Sequence, residues 1–462
     1  MNWLASFALY AWMPLVVVFF ASLSPARAVL VSYLAGWLFL PVADFQLLGF
    51  FDYTKSTAVP LVVFLAVLVF DLKSLQRLRF TAFDIPVVVF CVAPLLSSLS
   101  NDLGLYDALS SLMYQTISWG LPYLSGRLYF SSAQGQRVLA LGVFAGGLIY
   151  VPLCLWEVRM SPQLHATLYG FHQHDWTQTL RLGGYRPIVF MQHGLMLGLW
   201  MGAATIIGLA LWLSGSMRKL WGMPLSILAP VLLATTVLCK SFGATVLVLA
   251  ATLVLVAMRS LRTSLPMALL VCAPSTYVLL RTVGAWSGSG LTSLISQVNS
   301  ERAGSLSYRL EAEEMLRLKA NEKPLLGWGG WGRSFVRLYD DPRRMDTVIT
   351  DSLWILVFGK YGIVGLGSLL LCFFVPVVAL WRRCPPRLWA SPGATLSWSL
   401  ALVLTVYALD NLVNAMENPV YFLIAGALCG LAPARVSALM HIRGRARVTR
   451  AAPRSTTAVP AT

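Results

Sequence analysis

Charge is scarce in this chain, and acidic charge scarcer still. Of 462 residues only 12% are charged, with 19 Asp and Glu against 35 Lys and Arg, while 57% are apolar. Soluble domains carry about 25% charged residues. That shortfall, with a mean hydropathy of +0.71, excludes a water-soluble globule and describes an integral membrane protein. Of the seven cysteines none falls in the polar stretches 158–187 and 285–350, so no disulfide framework organises them. The first apolar window has no basic flank before it, which argues against a cleaved signal peptide. No repeat of solenoid length is visible. The glycine-rich run Pro324–Gly332 follows no expected strand and carries no Gly-Lys-Ser/Thr, which removes a nucleotide-phosphate loop.

What is present is a series of apolar windows, each able to cross about 30 Å of hydrocarbon. They lie near 5–23, 28–48, 57–71, 84–99, 106–124, 138–156, 188–213, 222–239, 243–258, 264–283, 352–380, 397–415 and 418–436. The expected fold is an all-α polytopic bundle of about 12–13 spans. It divides into an N-terminal transmembrane bundle (1–284), a large polar loop (285–350), C-terminal transmembrane helices (351–436) and a basic tail (437–462). The net charge of +16 follows this division. Lys73, Arg77 and Arg79, then Arg127 and Arg137, Arg218 and Lys219, Arg259 and Arg262, and Arg382, Arg383 and Arg387 recur at every second loop, and the tail adds Arg443 to Arg454. Positive loops stay in the cytoplasm, which puts 158–187 and 285–350 on the opposite face and, for thirteen spans, the N-terminus with them.

Against that background, cations on the outer face stand out. Arg186 closes the first outer loop, Lys240 sits in a short outer turn, Arg281 ends a helix on the same side, and Arg309 lies in the large loop. Such a group suits an anionic ligand, and the planar arginine fork suits phosphate. Each could instead pair with a nearby carboxylate. The large loop suits a helix from Ser305 to Ala320, capped by Ser305 or Ser307, with Arg309, Glu313 and Arg317 stacked as alternating charges. Pro324 and Gly327 end it. Asp351 stands where the loop returns to the membrane, either as a helix N-cap or as a base facing an outer cavity. Asp410, Asn411, Asn414 and Glu417 recur at helical spacing late in the chain. His193 is placed about one and a half turns inside the helix after Arg186, within reach of that arginine. His172-Gln173-His174-Asp175 lacks a complete ligand set, so no metal is expected.

With these residues in view, the chain resembles the O-antigen ligase and O-antigen/exopolysaccharide polymerase superfamily over about residues 183–430. The resemblance rests on Arg186-Pro-x4-Gln-His193, Lys240-Ser241-x-Gly243-Ala244, the Arg309 helix, Pro324-Leu325-x-Gly327-x-Gly329, and Asp351 before Phe358-Gly-Lys-Tyr-Gly362-Ile-Val-Gly365. It implies a membrane glycosyltransferase fold and transfer of glycans from an undecaprenyl-pyrophosphate donor at the periplasmic face of a bacterial inner membrane, with no cofactor or metal. Carried over, Arg186 and Arg309 hold the pyrophosphate; the outer-face placement of Lys240 and Arg281 makes them secondary contributors. Asp351 takes the acceptor proton, with His193 as the other candidate base. Trp328, Trp331 and Tyr339 are candidates for stacking on sugars. Thr350-Asp351 stands where the ligases commonly have His-Asn, and Phe242 follows Ser241 where the family often reads Ser-Arg-Gly. Both departures favour a polymerase of repeat units over a ligase acting on a lipid core.

The expected partners are therefore a lipid-linked glycan, an acceptor glycan or glycolipid, membrane lipid and other polysaccharide assembly proteins, and nucleic acid is excluded. A transporter of lipid-linked glycans is the alternative of another class, yet transporters carry their unusual charges near the midplane and often in matching halves. A scaffold for envelope assembly is a third. The topology predicts that, in intact cells, a cysteine at Ser289 reacts with an impermeant maleimide and one at Ser455 does not. Equal labelling, or labelling of the tail alone, overturns the orientation.

Overall fold

The computed structural model describes residues 2–45, 51–297, 300–341, 344–348, 350–384 and 392–430. The basic tail and Arg387 lie outside them. Every apolar window holds a helix, and the fold is the expected all-α polytopic bundle. Among the described residues seven helices are long and apolar enough to cross a membrane: Trp3–Ser22, Ala82–Ser100, Ala133–Met160, Gly194–Ser214, Phe242–Leu261, Leu265–Thr282 and Leu353–Arg383. Shorter apolar helices cover Pro25–Phe39, Lys55–Phe70, Leu225–Leu238, Ala394–Asp410 and Pro419–Cys429. The window 106–124 is a broken helix, Leu105–Gln115 joined to Leu121–Tyr129 through a π-helical turn. Strands among the described residues are confined to two-stranded hairpins.

The helix Gly194–Ser214 is the central pillar. Its apolar window is 94% buried, against 28% for Trp3–Ser22 and Phe242–Leu261 at the perimeter. Small residues let its neighbours approach: Gly198 faces Ser241, Gly202 faces Val248 and Gly208 faces Phe144, each with no room for a methyl group. The perimeter helices turn Phe7, Val18, Leu253 and Leu269 outward, as lipid requires.

The bundle has two distinct ends. At one, Arg127 Nε donates to Asp84 Oδ1 at 2.7 Å, Arg383 donates to the Cys429 carbonyl at 3.0 Å, and the arginine-rich loops gather. At the other, Asn2 N donates to the Tyr169 carbonyl at 3.0 Å and Val42 N to His165 Nε2 at 3.1 Å. The N-terminus thus lies with the loop 158–187, as an odd number of crossings demands.

The large loop holds a helix that begins earlier than its sequence suggests, at Ser300, and ends at Ala320. Ser305 and Ser307 are therefore interior residues and do not cap it, because the buried face (Leu310, Ala312, Leu316) extends back to Ala303. The chain then threads into a break in the helix Leu353–Arg383, where Gly362 adopts φ 61° and ψ −159°. Trp328 N donates to the Gly359 carbonyl and Gly329 N to Lys360, both at 2.9 Å, while Ile363 N donates to the Pro324 carbonyl at 2.7 Å. The loop thus satisfies backbone groups that the break would leave unpaired in lipid. Ser97 and Asn101 seal the seam, donating to the carbonyls of Lys360 (2.7 Å) and Gly327 (2.9 Å). A Cβ on Gly327 would sit 2.5 Å from the Lys360 carbonyl carbon, and Gly327 has φ +71°. Gly327→Ala is accordingly expected to destabilise the protein by about 1–3 kcal/mol, read as an earlier unfolding transition in detergent. An unchanged transition would mean that the docked loop adds nothing.

Candidate functional site

The site is assembled at the loop end from three chain segments. The first is the stretch after Arg186, which must turn from a hairpin (Leu180–Arg181 paired with Gly184–Tyr185) into the central helix. Glu157, buried at the end of Ala133–Met160, shapes that turn. Its carboxylate accepts from the backbone N–H groups of Ile188 (2.8 Å), Val189 (2.7 Å) and Leu164 (3.0 Å). Val189 has φ 56°, a left-handed conformation costly for a β-branched residue, and the carboxylate holds it there. Arg186 is buried, with its own N–H donated to the Thr179 carbonyl at 2.7 Å. Its side chain packs against Gly194, whose missing Cβ makes the room.

His193 is not inside the helix as its sequence position suggests. It is the N-cap of Gly194–Ser214, and its Nδ1 accepts from Leu195 N at 3.0 Å. The helix begins late because Glu157 claims the N–H groups of Ile188 and Val189 for a turn. Burial, and then repulsion from Arg186, His174, Arg181 and Arg309, pushes the His193 pKa down to about 3. A neutral ring whose Nδ1 is an acceptor carries its proton on Nε2. His193 thus presents Nε2 as a hydrogen-bond donor.

The second segment is the helix Ser300–Ala320. Glu313 turns inward and takes Arg281 Nε at 3.3 Å, Tyr277 at 2.8 Å, Trp354 Nε1 at 3.2 Å and the Ser352 hydroxyl. Arg281 further donates to the carbonyls of Leu310 (2.7 Å), Trp286 (3.2 Å) and Ser287 (3.4 Å). Buried to 2% exposure and with every nitrogen engaged, Arg281 braces the loop and does not present itself to a phosphate. The expected charge ladder is absent for the same reason: Glu313 serves Arg281, and Arg317 pairs with Glu314 at 2.6 Å. Arg309, one turn before Glu313, is left half-buried with Nη1 donating to the Val413 carbonyl at 3.2 Å.

The third segment joins the return of the loop to the C-terminal end of the helix Pro392–Asp410. Leu353 N donates to the Asn411 carbonyl at 3.1 Å, setting Asp351 and Asp410 on adjoining strands of chain. Asp351 is exposed, and the N-cap beside it is Ser352, so the capping role considered for Asp351 falls to its neighbour. Asp410 is buried, accepts from Asn414 Nδ2 at 3.0 Å, lies in the field of Arg309, and keeps Oδ2 without a hydrogen-bond partner among the described residues.

Of the other expected residues, Lys240 lies with Nζ against Gly184, in the same hairpin that leads to Arg186. Trp328 is covered by Lys319 and Lys323, at 3.9 and 4.6 Å from its ring centroid, and Nε1 donates to the Lys319 carbonyl at 2.8 Å. It is a packing residue of the docked loop. Trp331 is 77% exposed and donates to Asp107 at 3.0 Å. The side chain of Tyr339 lies outside the described residues. Arg186, His193 and Arg309 are thus brought together with Asp410 and Asp351 nearby, and Arg281 and Trp328 are not. Glu157 escaped the sequence reading, although an acid closing an apolar window just before a polar loop was a visible signal.

The neutral His193 makes two linked predictions. An unfolded histidine takes up a proton near 6.5 and the folded one only near 3, so stability falls as pH drops through that interval. Asn also caps helices, so His193→Asn should keep the unfolding transition and reduce that acid dependence to what the buried His165, lowered to about 4, contributes, whereas His193→Ala should cost about 1 kcal/mol. A wild-type transition independent of pH between those values refutes the buried, neutral imidazole. Compared with protein-family models and with curated proteins, the chain matches none.

Proposed function

We propose that this protein is a glycosyltransferase of the bacterial inner membrane. It transfers a glycan from a polyprenyl-pyrophosphate donor to an acceptor hydroxyl at the periplasmic face, polymerising O-antigen or exopolysaccharide repeat units. The observation that carries the reading is the convergence of Arg186 and Arg309, from separate outer loops, on one neutral imidazole. Two guanidinium groups whose charges both act on one N–H donor suit a pyrophosphate, whose leaving charge they stabilise where water is partly excluded. Lys240, in the hairpin beside Arg186, adds charge at the rim.

The acceptor hydroxyl loses its proton to Asp351 as its oxygen bonds to the anomeric carbon. The bond from that carbon to the phosphate oxygen breaks, and the polyprenyl pyrophosphate departs with the electron pair. Perimeter helices with outward apolar side chains suit the polyprenyl chain. The long loops then lie in the periplasm and the C-terminus in the cytoplasm.

The test is turnover of purified, reconstituted protein on lipid-linked repeat units, with products resolved by length. Arg309→Ala should lower the rate about ten- to a hundred-fold, the worth of about 1.5–3 kcal/mol for a charge-assisted contact. Arg309→Lys should be impaired as well, because the charge survives and the fork does not. Asp351→Asn should lose about 10²–10⁴-fold with donor binding intact. Full activity of a correctly inserted Arg309→Ala removes the phosphate role, and near-normal turnover by Asp351→Asn removes the base.

A further inference from the structure

Beside the arginine group lies a second polar space of different chemistry. A cavity of about 420 Å³ opens between the strands Asp44–Phe45 and Tyr53–Thr54, the start of the helix Lys55–Phe70, Gln192, and the turn bearing Ala415 and Glu417. Its volume is that of a small-molecule site, roughly 300–1,000 Å³. Its polar lining comes from Asp44, Thr54, Lys55, Ser56, Gln192 and Glu417, with Tyr114 beside them.

Two of these are unusual. Lys55 is 4% exposed, and its ammonium donates to the carbonyls of Phe190 at 2.7 Å and Trp37 at 3.2 Å. An ammonium carries three protons; these carbonyls take two, and the Trp37 ring lies 5.0 Å from Nζ. Glu417 is half-buried, and among the described residues its carboxylate makes no hydrogen bond or ion pair within contact distance. Burial pushes its pKa up, against a smaller opposing effect of the Lys360 charge.

No arginine is among the lining residues, and carboxylates outnumber the single ammonium. Anions are disfavoured here, in contrast to the Arg186 and Arg309 group. We infer that this cavity binds a neutral, hydroxylated sugar ring, with Lys55 donating to one ring oxygen and Glu417 accepting from a hydroxyl. Thr54, Ser56 and Gln192 supply further neutral hydrogen bonds. The choice of a sugar among neutral ligands rests on the glycosyltransferase reading above. The position suits it: Gln192 precedes His193, and Ala415 and Glu417 follow Val413 and Asn414, the partners of Arg309 and Asp410. A ring seated here adjoins the pyrophosphate site.

Saturation-transfer NMR on the full-length protein in nanodiscs tests this, with the methyl glycosides of glucose, galactose, N-acetylglucosamine and rhamnose as probes. At least one should bind the wild type and persist in millimolar inorganic pyrophosphate. Glu417→Gln should weaken it about tenfold, the loss of one charge-assisted hydrogen bond. Ala415→Phe should abolish it by filling the space, with an unfolding transition confirming that each variant is folded. Displacement of the glycoside by an undecaprenyl-pyrophosphate-linked glycan assigns the cavity to the donor's sugar, and persistence in its presence assigns it to the acceptor's. Either outcome supports the cavity. Failure of every glycoside to bind the wild type, or wild-type binding by both variants, overturns it. Transfer activity without glycoside binding sinks this inference alone, and glycoside binding without transfer activity sinks only the reading it rests on.

Discussion

One buried carboxylate, Glu313, ties the outer half of this protein together. Arg281, Tyr277, Ser352 and Trp354 all donate to it, so it joins the end of Leu265–Thr282, the loop helix and the start of Leu353–Arg383. An ionised side chain away from water persists only when its lone pairs are filled, and removing one partner of such a pair leaves an uncompensated charge. The four donors fill them. They also fix the rotation of the loop helix about its own axis. Arg309, one turn away, is then directed at Val413 and the C-terminal end of Pro392–Asp410. The position of the arginine follows from the burial of the glutamate.

Glu157 does the same work for the first loop. It supplies the acceptor for backbone N–H groups that would otherwise begin the central helix earlier. The consequence is a late helix start, with His193 exactly at its cap and Arg186 held in a rigid approach. Two loops far apart in sequence therefore each present one arginine, and each arginine is set by a buried carboxylate.

The large features were legible in the sequence because hydropathy and loop charge report directly on lipid. All of the apolar windows hold helices, and the N-terminus lies on the end that thirteen crossings require. The glycine run Pro324–Gly332 and the run Phe358–Gly365 both looked like isolated motifs, and they are the two sides of one seam. What a chain reading could not supply was the partner of each charge. Arg281 and Arg309 look alike in one dimension, as outer-face cations near a loop. The first is spent on Glu313 and three carbonyls, the second is not, and only side-chain direction separates them. His193 was misplaced by about one and a half turns for a related reason, since the approach to its helix is shaped by a glutamate far earlier in the chain. Asp410 and Glu417 were visible as a polar spacing, yet their difference was hidden: one is buried beside Asn414, and the other opens into a cavity.

The same partition explains why charge is so rare here. In a chain with few carboxylates, those buried at the loop end already have tasks: Glu157 holds backbone N–H groups and Glu313 an arginine. Buried Asp410 keeps Oδ2 unpaired and half-buried Glu417 makes no hydrogen bond among the described residues, and they lie at and just after the C-terminal end of the helix Pro392–Asp410. Leaving such capacity unfilled in a membrane protein is costly unless water or a ligand completes it. The turn after that helix end carries no capping demand for two acids, since Asn418 already caps the next helix through its Oδ1, which accepts from Val420 N at 2.9 Å. The unfilled acceptor capacity therefore lies at the loop end, where the charges of Arg186 and Arg309 both act on His193.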